Sequence, residues 1–314
     1  MTTAIFGARS TALDVVQGIR LQGRRAIVTG GASGLGLETS RALAAAGAQV
    51  TLAVRNRAQG EAAATAIRAA QPDALVQVAA LDLADLASVQ RFAADWANAP
   101  LHILVNNAAI MACPLARSAQ GWESQFAVNH LGHFALTSAL LPALMAGAPS
   151  RLVALSSTGH KLGGVVFEDI HFERRPYHKW LAYGQAKSAN ALMALGLHLR
   201  HAADGITANA VHPGGIMTGL QKYLPHEEMA ALGWLKPDGQ PLDIFKSPAQ
   251  GAATSVWAAT APALAGRGGL YLEDCGIGLP QPASNRVSGF SAHVADPEGA
   301  QRLWAVSEAL LAQA

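Results

Sequence analysis

Tyr183-Gly-Gln-Ala-Lys187 sets a phenol and an ammonium four residues apart. On a helix that spacing puts both side chains on one face, one turn apart. A phenol titrates near 10 in water, so bringing it to pH 7 takes about three pKa units, or roughly 4 kcal/mol of preference for the phenolate. One ammonium at ~4 Å, in an effective dielectric near 20, supplies on the order of 4 kcal/mol. The pair is therefore suited to proton transfer near neutrality, and further positive charge nearby would add to the effect. Tyr and Lys also meet at this spacing by chance on helix surfaces, so the pair takes its meaning from the segments around it.

Three segments bear on it. The apolar run Arg25-Ala-Ile-Val-Thr29 leads into Thr29-Gly-Gly-Ala-Ser-Gly34-Leu-Gly36 and then the alanine-rich stretch Leu37 to Ala46, which reads as strand, glycine turn and helix. Glycines at 30, 34 and 36 allow a tight turn, close approach to a pyrophosphate and close helix packing, while a helix N-terminus favours phosphate charge. Glycine-rich turns are also common between strands and helices that bind nothing. Leu101-His-Ile-Leu-Val-Asn106-Asn107-Ala-Ala109 is an apolar strand ending in amides, and Arg151-Leu-Val-Ala-Leu-Ser156-Ser157 is one ending in hydroxyls. In an open parallel sheet the ligand crevice lies beyond the carboxyl ends of the strands, so these ends point to one site.

The elements that must position these groups follow from periodicity. Strands are expected near 25–29, 49–54, 76–80, 101–105, 151–156, 206–211 and 269–272, with helical patterns between them. Such alternation predicts an α/β chain: a single-domain, doubly wound Rossmann fold with a mostly parallel seven-stranded sheet and helices on both faces. One domain is expected over 1–314, with an N-terminal arm over 1–20 and a C-terminal extension over 280–314. A length of 314 residues suits one large α/β unit, and 51% hydrophobic against 14% charged residues argues against disorder.

In the order and approximate spacing of the glycine turn, Asn106-Asn107-Ala108, Ser157, Tyr183-x-x-x-Lys187 and His212-Pro-Gly-Gly-Ile-Met-Thr218, the chain resembles the short-chain dehydrogenases/reductases over nearly its whole length. Ser10-Thr-Ala-Leu-Asp-Val-Val16, Asn129-His-Leu-Gly-His-Phe134, Tyr271-Leu-Glu-Asp-Cys275 and Leu303-Trp-Ala-Val-Ser307 resemble the branch of retinol-dehydrogenase-like and WW-domain-oxidoreductase-like enzymes. The resemblance implies Tyr183 as general acid/base, Lys187 as the group that lowers its pKa and holds the nicotinamide ribose, Ser157 rather than Ser156 on the substrate oxygen, and Asn129 anchoring a relay water. It further implies a dinucleotide held by Gly30, Ser33, Gly34, Leu35 and Gly36, with Asp82, Leu83, Asn106, Asn107 and Ala108 toward the adenine side, and Pro213, Gly214, Ile216 and Thr218 along the nicotinamide. The family's usual Asn-Asn-Ala-Gly reads Asn-Asn-Ala-Ala109 here, which questions the local turn and not the chemistry. Simpler roles stand beside three of these: Asp82 as the N-cap of a helix over Asp85 to Ala97, Asn129 as a backbone ligand within the helical stretch Trp122 to Met145, and Thr218 as a helix-start residue.

Charge bears on the cofactor. An NAD site usually carries an acid about 20 positions after the glycine loop. Here the second strand ends Leu52-Ala-Val54-Arg55-Asn56-Arg57, with no acid before Glu61. Arg55 offers a planar fork for a 2′-phosphate and Arg57 can assist, so NADP(H) is the expected preference, with NAD(H) use possible. The alternative is that both arginines form a solvated helix start.

The remaining features bound the function. A net charge of +2 without a Lys/Arg block gives no nucleic-acid footprint. Met1 to Arg24 has no apolar core like a signal peptide, and the apolar stretch Phe134 to Met145 is shorter than a bilayer span, so a cytoplasmic protein without a membrane partner is expected. Cys113 and Cys275 form no metal or redox motif and are expected reduced and packed. His130, His133, His198 and His201 have i,i+3 spacing without a third ligand and read as helix residues, with no metal; His160 is the one histidine expected to approach substrate.

Thr158 to Ala182 and Gly219 to Lys246 are long connections flanking the site, hence candidate substrate walls. Phe167, Trp180, Tyr223, Trp234 and Phe245 in them suggest a bulky or hydrophobic carbonyl or alcohol, or else close the core beneath a lid. Related enzymes often pair through helices corresponding to 119–145 and 181–202, so a homo-oligomer is possible unless the C-terminal extension blocks it. The leading expectation is an oxidoreductase; the alternative is a catalytically silent dinucleotide sensor on the same fold, of the kind that typically loses the Tyr or Lys.

Overall fold

In β1 (Arg25–Thr29) successive side chains point to opposite faces of the sheet: Ala26 and Val28 enter one apolar core, Ile27 the other. Both faces are covered, which is why this strand reads as a continuous apolar run. The computed structural model describes residues 6–97, 99–282, 284–285 and 287–314. The expected N-terminal arm therefore falls partly outside the described residues, as do positions 98, 283 and 286.

The described chain begins with α1 (Ala12–Val15), β1, α2 (Gly34–Ala45), β2 (Gln49–Val54), α3 (Arg57–Ala70), β3 (Val76–Ala80) and α4 (Leu86–Trp96). It continues through β4 (Ile103–Asn106), α5 (Ser124–Phe126), α6 (Gly132–Ala139), α7 (Leu141–Ala146) and β5 (Ser150–Leu155). Next come α8 (Lys179–His201), β6 (Ile206–His212), α9 (His226–Ala231), α10 (Pro248–Thr260), β7 (Tyr271–Glu273), β8 (Gly276–Ile277) and α11 (Pro297–Ala312).

The strand order is β3-β2-β1-β4-β5-β6-β7-β8. The first seven strands are parallel, and the two-residue β8 adds an antiparallel edge to the seven that sequence periodicity predicts. The winding reverses between β1 and β4, and the carboxyl ends of these two strands open the crevice in which such sheets bind ligands. Helices α1, α2, α3 and α10 cover one face, and α4, α6, α7 and α8 the other. On that second face α11 docks against α6 and α8: Trp304 meets Phe134 edge-on at 4.8 Å, Arg200 lies 4.6 Å over the Trp304 ring, and Ser307 bonds His130 at 2.8 Å.

The helix expected over Trp122 to Met145 is broken. Residues Ala127–Leu131 form a π-helical turn between α5 and α6, and the chain restarts at α7 with Pro142 in its first turn. Among the described residues no helix is long and apolar enough to cross a membrane. Cys113 and Cys275 are free and buried.

Gly36 sets how closely α2 approaches β1. A Cβ there would lie 2.3 Å from the Gly30 carbonyl oxygen and 2.6 Å from Asn107 Nδ2. Gly36→Ala should therefore push the helix off the strand at a cost of about 1–3 kcal/mol, lowering the thermal midpoint by about 1–5 °C. A melting curve superimposable on that of the wild type would show that the packing relaxes without cost.

Candidate active site

The turn between β1 and α2 is the floor of a cleft of about 470 Å³. Gly30 and Gly34 hold φ of +65° and +51°, in the left-handed region that favours glycine. Ser33 stands at the N-cap of α2 without a side-chain capping bond, so the first-turn N–H groups are left for another acceptor. Just past the end of β2 the exposed Arg55 forms part of the cleft wall and has no ion-pair partner among the described residues; Arg57 instead pairs with Glu61 at 3.7 Å. Asn56 and Gln59 complete that wall.

The amides after β4 are held by Thr29. Its hydroxyl oxygen accepts the N–H groups of Asn107 (2.9 Å) and Ala108 (3.0 Å), and Asn107 Nδ2 donates to the Thr29 carbonyl (2.8 Å). His133 Nδ1 donates to the Asn129 carbonyl at 2.9 Å, which leaves Nε2 to accept the Thr29 hydroxyl at 2.8 Å. Burial pushes His133 down to about 4, so the neutral ring this arrangement requires persists through the physiological range. The turn tolerates Ala109 because its φ lies outside the positive region.

Tyr183 and Lys187 occupy the first turns of α8, and both line the cleft while almost wholly buried. Lys187 Nζ donates to the Leu155 carbonyl at 2.9 Å, and its other two N–H donors have no partner among the described residues. Lys187 Nζ lies 5.6 Å from the centroid of the Tyr183 ring. Desolvation is the largest influence on both groups. Burial pushes Tyr183 up to about 12, offset in part by the Ser157 hydroxyl, and pushes Lys187 down to about 7. Burial thus opposes the acidic phenol expected from the spacing.

The depressed lysine has a consequence for stability. The unfolded lysine keeps its proton to about 10.4, whereas the folded one releases it near 7, so between these values the unfolded state binds more protons and stability rises with pH. Over pH 7 to 9 this contributes about 2–3 kcal/mol. Urea midpoints should climb over that interval and lose most of the climb in Lys187→Met; equal slopes in the two proteins would count against a desolvated ammonium.

Thirteen residues expected around the dinucleotide line this one cleft: Gly30, Ser33, Gly34, Leu35, Arg55, Asp82, Leu83, Asn107, Ala108, Tyr183, Lys187, Pro213 and Thr218. Others of the expected set stand behind it. Asn106 is buried and bonds Thr137 at 3.1 Å; Gly36 packs α2 on β1; Gly214, at φ +100°, lies against the Lys246 side chain; Ile216 is buried against Gly251. Asn129 sits in the π-helical turn, where its amide brackets Ile110, accepting from the N–H and donating to the carbonyl, each at 2.9 Å. Those two bonds hold the side chain on Ile110, and the second lone pair of the Asn129 backbone carbonyl, beside the one that accepts His133 Nδ1, is the place for a relay water.

The Ser156 hydroxyl donates to the Lys187 carbonyl at 2.9 Å, while Ser157 accepts from Gly159 N–H at 3.0 Å and keeps its own proton for another acceptor. Asp82 does not cap α4; Asp85 does, and Asp82 instead accepts from Ala84 N–H at 2.9 Å. Thr218 both lines the cleft and caps the short 3-10 turn Gly219–Tyr223. Lys222, on that turn, lines the cleft as well and was not expected; in sequence it looks like one more solvated lysine.

The candidate walls separate. Trp180 meets Tyr183 and Trp234 edge-on at 6.3 and 5.9 Å, in an apolar cluster with Met111, Ala112, Leu224 and Met229. Phe245 extends this chain of rings from Trp234 at 6.0 Å. Lys179 and Trp180 both hold Glu228, at 2.5 and 3.2 Å, and so tie α9 to the start of α8. Phe167 lies elsewhere, beneath Arg302, and Tyr223 is 41% exposed. His160, expected to approach substrate, is turned into the protein and has no exposed surface.

The family described as short chain dehydrogenase matches residues 24–229. The chain is 50% identical over 288 residues to a "Probable oxidoreductase" of Streptomyces antibioticus, covering 90% of this chain and 96% of that one. It is 38% identical to retinol dehydrogenase 12 of Mus musculus (93% and 88% covered) and 37% identical to the human WW domain-containing oxidoreductase (98% and 72% covered). Among solved structures it is similar to an uncharacterized protein from Mycobacterium paratuberculosis, with a TM-score of 0.74, 35% identity and coverage of 96% and 97%. It is also similar to the RhlG/NADP active-site complex from Pseudomonas aeruginosa, with a TM-score of 0.62, 26% identity and coverage of 81% and 95%.

Proposed function

The chain belongs to the short-chain dehydrogenase/reductase family, and from that premise we propose that it is an NADP(H)-preferring oxidoreductase acting on a bulky or hydrophobic carbonyl or alcohol. The observation that carries this reading is the opening of Tyr183 and Lys187 onto the same cleft as the glycine turn. The cleft fits a dinucleotide: Gly36 leaves no room for a Cβ, the start of α2 is uncapped, and Lys187 keeps two donors unspent. The similarity to the RhlG/NADP complex supports the coenzyme, and Arg55, without an ion-pair partner among the described residues, supports the 2′-phosphorylated form.

When bound, the dinucleotide would supply or accept the hydride at its nicotinamide ring. The chain's own residues would handle the proton and the oxygen. The Tyr183 hydroxyl would donate its proton to the nascent alkoxide in reduction and take it back in oxidation. Reduction calls for the neutral phenol that burial favours here. The Ser157 hydroxyl would donate to the same oxygen, Lys187 would bond the ribose, and the Asn129 carbonyl would hold a water that resupplies the proton. The rings of Trp180 and Trp234 would exclude water and receive the apolar part of the substrate. We read the whole chain as one domain, with α11 folded back onto it.

A panel of carbonyls with NADPH and of alcohols with NADP⁺, followed at the absorbance of the reduced coenzyme, tests this. Turnover is expected with hydrophobic members; coenzyme binding without turnover of any member would leave a silent sensor as the better reading.

A further inference from the structure

We infer that His160 is a positioning residue, which with the backbone around Asn285, Ser288 and Ser291 fixes Ser157 from behind and makes the C-terminal extension the rear wall of the reaction centre. This rests on the proposed roles of Ser157 and Tyr183. Ser157 caps the 3-10 turn Thr158–Leu162. One side of this turn lies directly on α8: a Cβ on Gly159 would be 2.9 Å from the Tyr183 ring, and one on Gly184 would be 2.5 Å from the Gly159 carbonyl oxygen.

The other side is strapped. His160 Nδ1 is 2.5 Å from the Ser157 carbonyl oxygen, and Nε2 is 3.1 Å from the Ser291 backbone nitrogen. A backbone N–H only donates, so Nε2 accepts and the ring proton sits on Nδ1, donating to Ser157. The neighbouring Lys161 ammonium, also buried, donates to the carbonyls of Asn285 (2.5 Å) and Ser288. Both carboxylate oxygens of Glu273 accept from Gly289 N–H, at 2.8 and 2.9 Å. Tyr271 fills the gap, its ring 5.1 Å from His160 and 5.5 Å from Phe290.

The two ring nitrogens can be replaced one at a time. An asparagine amide can keep a donor near the Nδ1 position and cannot reach Ser291; a glutamine amide can place its oxygen near the Nε2 position and gives up the donor to Ser157. All three variants His160→Asn, His160→Gln and His160→Ala should bind NADPH as the wild type does. For NADPH-driven reduction of 4-nitrobenzaldehyde, kcat should fall about 10²-fold in the Gln and Ala variants and only slightly in Asn, the size expected for a misplaced reacting group. Hydrogen exchange read on peptides should rise over 157–163 in Gln and Ala, and over 287–292 in Asn and Ala. Equal kcat in Asn and Gln, or unchanged exchange over 157–163 in Gln, would overturn the inference. If Ala fails to fold, the Asn and Gln pair decides it. A wild type that binds NADPH but reduces no carbonyl would strike the proposed function, while the exchange pattern would still decide the strap.

Discussion

Tyr183→Phe is expected to lower turnover by about 10²- to 10⁴-fold, the usual contribution of a positioned general acid/base, while leaving NADPH affinity nearly unchanged. The substitution removes one oxygen and keeps the ring that packs against Met111, Leu224 and Trp180, so the thermal midpoint should move little. The residual rate should also lose the pH dependence belonging to the phenol. Steady-state kinetics from pH 6 to 10, with a fluorescence titration of NADPH, provide the check. Turnover within threefold of the wild type would remove Tyr183 from the chemistry.

Arg55 carries the second large effect. If its guanidinium bonds the 2′-phosphate, those charge-assisted bonds are worth about 1.5–3 kcal/mol, or roughly tenfold to a hundredfold in affinity. Arg55→Asp should lose this and gain an acceptor for a free 2′-hydroxyl, shifting the ratio of NADPH to NADH dissociation constants by about 10²- to 10³-fold toward NADH. Lys222→Ala is the control: it lines the same cleft from the turn after Thr218, and should weaken both coenzymes alike. Tighter binding of NADH than NADPH by the wild type would refute the preference.

Much of this is legible in the residues alone. The strands stand out because parallel strands buried on both faces leave continuous apolar runs, as in Ala26-Ile-Val28 and Leu152-Val-Ala154. The ligand end of the sheet is readable because polar residues such as Asn107 and Ser157 break those runs at their carboxyl ends. What stays hidden depends on the third dimension. The two-residue β8 has no periodicity to detect. The π-helical turn at Asn129 depends on one extra residue accommodated in a helix whose sequence looks regular. Spacing places Tyr183 and Lys187 on one face, yet it carries no information about how completely that face is buried, and burial opposes the predicted lowering of the phenol's pKa. His160 lies three residues past Ser157, but only the fold shows its ring turned toward Ser291.

The docking of α11 has a consequence for how the protein comes into being. Trp122, Phe126, Leu131 and Leu192 share a core cluster with Ala300 and Leu303, and these last two are synthesised after all the others. Until α11 is made, the nascent chain carries an open greasy flank beside the helix that bears Tyr183 and Lys187. Completion of that flank, and with it protection from aggregation, waits on α11.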